Sequence, residues 1–581
     1  MIASSAAAVP PPYANPAVYR VNKVNPHTVV IPSENPGFRR LINTGWRFRQ
    51  VERVSDIPRG FADRGVSLQH WQVVSIPSVW EQGGVGCYAY DFQFPSSWQG
   101  RRIFIKLGAV SSAVHFYVNG QLVGYSEDSF TPAEWDITRY LASGTNRLAL
   151  RVYSQSDGAD VEYGGGRKEY GLLRDVELYA LPQVHLIDYH VLATLDTADY
   201  MTGLLDVTVD LSTEVKRPYQ VEIEVIDTSV HPARSVLRRR RRLDVQDWFV
   251  SFGQRDNPVG PVQPWSPSYP FCYQFVIRLL DDQGGLVHSV SSWIGFRMLD
   301  FRKGLWSLNG DPLQVRGVEW QEPETSREGV RRTLSLMRQH GFNAIRLRRP
   351  ASESFYNACD EMGLMVWDCC GLGLAPAKAA LIGDNEDWEE SLIYRAHNLV
   401  RRDRNHACVV AWGLADGFPW GYCASQVMKY FRDRDAVRAA CHPDDSRSPI
   451  RVLRNPSVYR LDSEGTPPRY RRVSPLLALY DGDQFTASDL VECWDTIATH
   501  TILQGAFFGS WERLTESDRR MLQNAFATWA PDEVRYDGTR PAQAEPVLTE
   551  GRDTGSELDE RDMGTRRGFF LIRWIRALFR R

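Results

Sequence analysis

The hydrophobic period of this chain changes once, near residue 298, and that change limits what it can fold into. Upstream, apolar and polar residues alternate in short runs broken by turns: RRIFIKLGAV, AVHFYVNGQLVGY, NRLALRVYS and RDVELYAL between residues 41 and 182. Period-two alternation in runs of this length is the pattern of half-buried antiparallel strands in a β-sandwich. Asn119-Gly120 separates two such runs, and a type I′ hairpin turn needs the positive φ that Asn and Gly adopt most readily. A second all-β stretch, residues 183–297, carries HLIDYHVLATLD, LLDVTVDLS, QVEIEVID and YQFVIRLLDD at the spacing of an immunoglobulin-like sandwich.

Downstream, from 298 to 551, strands alternate with helices, which argues for parallel βα units. PLQVRGVEW reads as the first strand. The helix after it, REGVRRTLSLMRQHG, places Val330, Leu334 and Met337 on one face and ends at Gly341. FNAIRLRR, LMVWDCC and CVVAWGLAD follow as strands two to four, separated by helices through SESFYNACDEMG and EDWEESLIYRAHNLVRRDRNH. PIRVLRN, PLLALYD, DLVECWD and GAFFGSW complete about eight strands in roughly 250 residues, the size of a (β/α)₈ TIM barrel.

The 581 residues accommodate three or four such domains at about 150 residues each. A formal charge of -3 argues against a whole-protein footprint for nucleic acid, and 43% hydrophobic residues against disorder. Nine scattered cysteines do not suit the disulfide framework of a small secreted domain. The start, MIASSAAAVPPPYANPAVYR, lacks a basic n-region and is broken by three prolines, so residues 1–40 are expected to be an arm, disordered in its first twenty residues, and the compartment cytoplasmic. Residues 552–581 read as a polar linker followed by a basic amphipathic helix. In it Arg573, Arg576 and Arg580 occupy one face and Phe570, Trp574, Ile575 and Leu578 the other, a shape that suits docking on its own barrel, an anionic membrane surface or a partner groove (568–581). The run Arg238 to Arg242 reads as a solvated loop between strands, or as an anion-binding or nuclear-localisation patch. The 18 tryptophans serve either as sandwich core or as sugar-stacking platforms.

A barrel of this kind builds its site at the C-terminal ends of its strands. Glu319, Trp320, Gln321 and Glu322 follow strand one. Arg346, Arg348 and Arg349 follow strand two, Asp368, Cys369 and Cys370 strand three, and Asp416 strand four. With DLVECWD as strand seven, Glu492, Cys493 and Asp495 join them, and Trp511 and Glu512 follow strand eight. Carboxylates, arginines and aromatics suit a sugar pocket. Cys369, Cys370 and Cys493 together raise a soft-metal or thiolate site, against the commoner reading of buried structural cysteines.

The order of domains, with LINTGWRF, SIPSVWEQ, GCYAYDF, SDG, LNGDPLQVRGVEW, FNAIRLRR, VRRDRNHACVVAWGLAD and LQGAFFGSW, resembles the large β-galactosidases of glycoside hydrolase family two over most of residues 14–551. The resemblance implies a jelly-roll sugar-binding domain, an immunoglobulin-like domain and a catalytic barrel that hydrolyses terminal β-galactosides with retention. Retention uses two carboxyl groups about 5 to 5.5 Å apart. The family's acid/base falls at Gly417, one position past Asp416. Its nucleophile, near the end of strand seven, falls at Cys493 or, with a one-residue shift, at Glu492. Its magnesium ligands fall at Gly373, Ala375 and Gly417, so no metal cofactor is expected, and Asp157 in SDG cannot hold the family's sodium ion alone. Gln321 and Arg348 or Arg349 replace family histidines, and the aromatic platform falls at Gly509. Asp157, Arg346, Gln321 and Trp511 remain as candidate substrate-binding residues, with Arg346 as support for a carboxylate. The family's further β-domains are expected to be missing beyond PVLTE, and with them part of the family's oligomer contacts, which argues against its tetramer.

Three functions follow. The chain is a β-galactosidase-like protein impaired in catalysis and kept for binding a glycan or partner. Alternatively it is a weak retaining glycosidase on β-galactosides, with Glu492 as nucleophile and Asp416 as displaced acid/base. Third, it is a membrane-peripheral or interaction protein acting through its C-terminal helix.

Overall fold

A computed structural model describes residues 10–30, 36–80, 82–162, 169–212, 217–244, 247–253, 258–302, 304–320, 326–415, 417–466, 474–480 and 485–528. Gln321, Asp416 and the segment 552–581 with its basic helix lie outside the described residues. No helix among the described residues is long and apolar enough to cross a membrane.

The first domain is a jelly-roll sandwich. Val85–Phe92, Ala113–Val118 and Asn146–Tyr153 run through the middle of a seven-stranded sheet, and Arg102–Leu107 and Val176–Leu181 through a four-stranded one. The inward residues of both sheets, Trp46, Trp98, Trp135, Ile105, Phe116 and Leu150 among them, make one core. Asn119 and Gly120 take φ of 51° and 84° and close the hairpin between Ala113–Val118 and Gln121–Ser126. The second domain pairs Leu186–Leu195 with Thr202–Leu211 in one sheet. A second sheet runs Arg234–Leu243, Tyr219–Asp227, Tyr273–Asp281, Leu286–Ile294, and the two share a core of Val207, Val209, Ile223, Val225 and Ile277.

Two expectations are corrected here. The arginine run is not a loop: Arg238–Arg242 form the middle of the edge strand Arg234–Leu243. Glu222 and Glu224 on the neighbouring strand accept from Arg240 and Arg238 at 2.7 and 2.6 Å, and Arg278 reaches both from the far side. Opposite charges across a ladder let five arginines occupy one strand, and a charged edge resists pairing with other chains. Nor is the arm disordered from residue 10 to 30. Tyr13 stacks on Tyr153 at 4.5 Å, Arg20 and Val21 pair with Ser126 and Tyr125, and Val30 is buried in the core of the second domain. Thr28 donates to Asp188, from its backbone at 2.9 Å and its hydroxyl at 2.7 Å, so the arm crosses from one sandwich to the other.

The third domain is a TIM barrel. Its strands are β1 (Val315–Trp320), β2 (Ala344–Leu347), β3 (Met365–Cys369), β4 (Val409–Gly413), β5 (Ala439–Cys441), β6 (Arg451–Arg454), β7 (Leu476–Tyr480) and β8 (Leu503–Ser510). They form one parallel sheet in the order β5-β4-β3-β2-β1-β8-β7-β6. The barrel is filled: Phe507 lies so close to Gly317 on β1 that an added Cβ would sit 2.3 Å from its ring. Helix α1 (Arg327–Gln339) buries Val330, Leu334 and Met337 and is followed by Gly341 at φ 83°. Helix α2 (Glu353–Met362) leads to β3, and helix α3 (Glu389–Asp403) to β4.

The expected seventh strand is corrected as well. DLVECWD lies in helix α4 (Ala487–Thr499), and PLLALYD supplies β7 instead. Thr486 caps α4 in a reciprocal box with Asp489, and Leu490, Cys493, Trp494 and Ile497 are its buried face at spacings of three and four. The short Ala439–Cys441 takes the place of β5.

A clasp holds the first domain on the barrel. Residues 157–162 leave the sandwich and meet the β3 loop, where Gly373 donates to the Val161 carbonyl at 2.9 Å. Arg395 of α3, 2% exposed at its side chain, bonds Glu162 at 3.2 Å and the Glu127 carbonyl at 3.0 Å. Asn398 donates to Asp128 at 2.5 Å, and Lys378 pairs with Asp160 at 2.8 Å. Burial and the Asp157 carboxylate push the Glu127 carboxyl up to about 10, and burial pushes Glu162 up to about 7 although Arg395 opposes it. Both groups therefore hold a proton in the folded chain at a pH where the unfolded chain, near 4.3, has lost it. Their contribution to stability is complete below about pH 4 and is lost progressively as pH rises through 7 toward 10. The first thermal unfolding transition is thus expected to fall between pH 5 and 9. Glu127→Gln should leave it unchanged at pH 5 and raise it by a few degrees at pH 9, measured by scanning calorimetry; equal curves for the two proteins would contradict this.

Candidate functional site

The ends of β1, β2 and β3 converge on one carboxylate. Glu319, on β1, is 2% exposed at its side chain. Arg346 of β2, itself 1% exposed, donates to one of its oxygens, and Arg348 holds the other through Nε at 3.0 Å and Nη2 at 2.6 Å. The Arg346 guanidinium also lies 5.1 Å from the centre of the Trp367 ring on β3. Two fixed donors on a buried carboxylate make a neutralised structural unit, with the forked geometry that suits arginine.

Behind β3 lies a second acidic group. Asp368 is buried and accepts from the Tyr356 hydroxyl at 3.0 Å, while Arg402 grips Asp403 at 2.7 and 2.6 Å. Burial, with Asp403 alongside, raises the Asp368 carboxyl well above the usual range, so it is protonated and hydrogen-bonded within the wall of the barrel. Two of the candidate cysteines are held as thiols. Burial raises Cys370 to about 12 and raises Cys493 as well, which keeps both as thiols.

After β4 the chain reaches Gly417 at φ 83°, where its carbonyl accepts from Leu374. A Cβ added at 417 would lie 3.2 Å from the Leu374 oxygen, and the left-handed backbone disfavours any side chain there. Gly373, another position at which the resemblance implies a metal ligand, has no side chain to coordinate one, and its N–H donates to the Val161 carbonyl. Strand β7 carries Leu476, Leu477, Ala478, Leu479 and Tyr480, all buried, and no carboxylate; Asp481 and Asp483 lie outside the described residues. Glu492 stands exposed on α4, turned away from the buried face that carries Cys493. It is therefore not at the end of a barrel strand.

The candidate substrate residues are placed as follows. Asp157 is 9% exposed and faces Glu127, whose other oxygen accepts from Tyr125. Arg346 is taken up by Glu319. Trp511 is 5% exposed, covered by the Arg519 guanidinium at 3.7 Å and packed on Phe342 and His340. None of these three presents an open face at the mouth.

Sequence reasoning did not find the cleft beside the mouth. A cavity of about 1400 Å³ starts at Glu319, Trp320 and Arg348 and runs to the junction of all three domains, along Lys106, Glu134 and Glu177 of the jelly roll, Ser292 and Trp293 of the second domain, and Glu353 and Asn357 of α2. Its lining comes from segments hundreds of residues apart, which no local motif marks.

Comparison with known proteins agrees with this architecture. Residues 66–182 match the sugar-binding domain of glycosyl hydrolases family 2, residues 184–297 the family's middle domain, and residues 299–474 its TIM-barrel domain. The β-galactosidase of Priestia megaterium is 27% identical over 86% of this chain and 54% of its own length; that of Vibrio cholerae is 30% identical over 69% and 43%. The chain thus spans about half the length of the curated relatives it matches. Among solved structures, a β-glucuronidase of Bacteroides uniformis superposes with a TM-score of 0.68 at 17% identity, covering 81% of this chain and 64% of that one. A family 2 member from Bacteroides cellulosilyticus gives 0.66 at 19%, covering 81% and 67%. With three consecutive domain models matched in order, the chain belongs to glycoside hydrolase family 2.

Proposed function

We propose that this protein is a family 2 glycoside hydrolase homologue that binds β-linked sugars without hydrolysing them by the retaining route. The observation that carries the reading is the state of the two positions where the resemblance puts catalytic carboxyls. The acid/base position is Gly417, in a backbone conformation that disfavours a glutamate, and the described part of β7 is entirely apolar or phenolic. General acid–base help is worth about 10²–10⁴ in rate, and loss of the nucleophile removes the covalent route altogether. The buried carboxylates near the mouth are each committed. Glu319 is bound by two arginines, and Asp368 is protonated inside the wall. Sugar binding is supported by the family's sugar-binding domain model over 66–182 and by relatives named as β-galactosidases.

Hydrolysis of a nitrophenyl β-galactoside and of the corresponding β-glucuronide by the purified chain is expected to match the protein-free rate. Turnover that disappears in both Asp416→Asn and Asp481→Asn would contradict this and establish a displaced carboxyl pair. Restoring the missing acid is expected to fail: Gly417→Glu should leave hydrolysis at background and lower stability by about 1 kcal/mol or more, because the left-handed backbone disfavours a side chain. A gain in hydrolysis of tenfold or more in that variant would show that Gly417 is the one missing part.

A further inference from the structure

We propose that the three-domain cleft is a binding site for an extended neutral oligosaccharide of about four hexose units. The inference rests on the glycan-binding part of the function proposed above and does not depend on the absence of hydrolysis.

Size comes first. At about 1400 Å³ the cleft exceeds the roughly 300–1,000 Å³ of a pocket for one small ligand, and its lining includes both Trp320 of the barrel and Trp293 of the second domain. A monosaccharide would leave most of it wet.

The polar groups give the chemistry. Lys106 stands directly across the ladder from Glu134 on one side and Glu177 on the other. Those carboxylates are already engaged: Glu134 by the Tyr179 hydroxyl at 2.5 Å and His27 at 3.6 Å, and Glu177 by Arg39 at 2.7 and 2.9 Å. The Lys106 ammonium has no ion pair within 4.0 Å among the described residues, and neither has Glu353, which projects from the first turn of α2. The two are nevertheless close enough to interact: burial works against the Lys106 charge, but Glu134, Glu353 and Glu177 together hold it above its ordinary value. The cleft thus carries a donor and an acceptor that are not ion-paired with each other. A hydroxyl-rich ligand suits both, because each of its hydroxyls both gives and takes a hydrogen bond. The lining as a whole sets nine carboxylates against eight arginines and one lysine, so neither sign of charge dominates and a neutral ligand suits it.

The third element is an aromatic face. Trp293 is 41% exposed and lines the cleft, whereas Trp46, Trp135, Trp265, Trp320 and Trp412 are fully buried. An indole kept in water beside a polar channel offers an apolar platform with one polar edge, the arrangement that meets the apolar face of a pyranose. Ser292 beside it supplies a further hydroxyl.

Isothermal titration of the full chain with lactose and with neutral β-1,4-linked tetraoses of galactose, glucose and mannose tests the inference. At least one tetraose should bind at least tenfold tighter than lactose. Trp293→Ala should weaken that tetraose tenfold or more, Trp293→Phe should retain most of the affinity, and Lys106→Met should weaken it threefold or more, with melting temperatures unchanged for the exposed Trp293 variants. Tetraose binding that survives both Trp293→Ala and Lys106→Met would overturn the cleft as the site while leaving the glycan-binding reading intact. Absence of heat and of chemical-shift change with every sugar at 10 mM would overturn both.

Discussion

The buried ion cluster of Glu319 with Arg346 and Arg348 sets what the barrel mouth can be. It ties the ends of two adjacent strands through a carboxylate withdrawn from water, and the Trp367 ring closes over the first guanidinium. Such a cluster is costly to break, because removing one member strands a buried charge. It is equally poor as chemical machinery, since a carboxylate held by two guanidinium groups is not free to approach a substrate.

The same principle recurs away from the mouth. Glu222 and Glu224 let five consecutive arginines lie in one edge strand, and Arg395 with Glu162 anchors the jelly roll to the barrel. In each case charges are paired between elements, which fixes those elements by directional bonds. In the cleft Lys106 and Glu353 stand outside such pairs, and Trp293 remains exposed.

Much of the architecture was legible in the sequence, because period and turn chemistry are local. The alternation before residue 298, the Asn119-Gly120 turn and the helix from Arg327 to its stop near Gly341 all follow from neighbouring residues. Errors arose where local signals conflict. DLVECWD is apolar enough for a strand, yet the Thr486–Asp489 box and the spacing of Leu490, Cys493, Trp494 and Ile497 mark a helix, and once it is a helix PLLALYD becomes β7. That single change removes Glu492 from the mouth. The arginine strand and the docked arm were illegible for another reason: their partners, Glu222, Glu224, Tyr153 and Asp188, lie on other strands and are visible only in three dimensions. The positive φ at Gly417 and the cleft belong to the same class.

The proposal that the retaining route is lost rests on the described residues, which place no carboxylate at the end of β4 or β7, and a trapping reagent addresses it directly. A 2-deoxy-2-fluoro-β-galactosyl fluoride leaves a long-lived covalent glycosyl adduct on the nucleophile of a retaining enzyme, because the intermediate forms but hydrolyses slowly. Intact-protein mass spectrometry after prolonged incubation is predicted to show the unmodified mass alone. A stoichiometric increment of one fluorogalactosyl group, mapped to an aspartate or glutamate, would contradict the account.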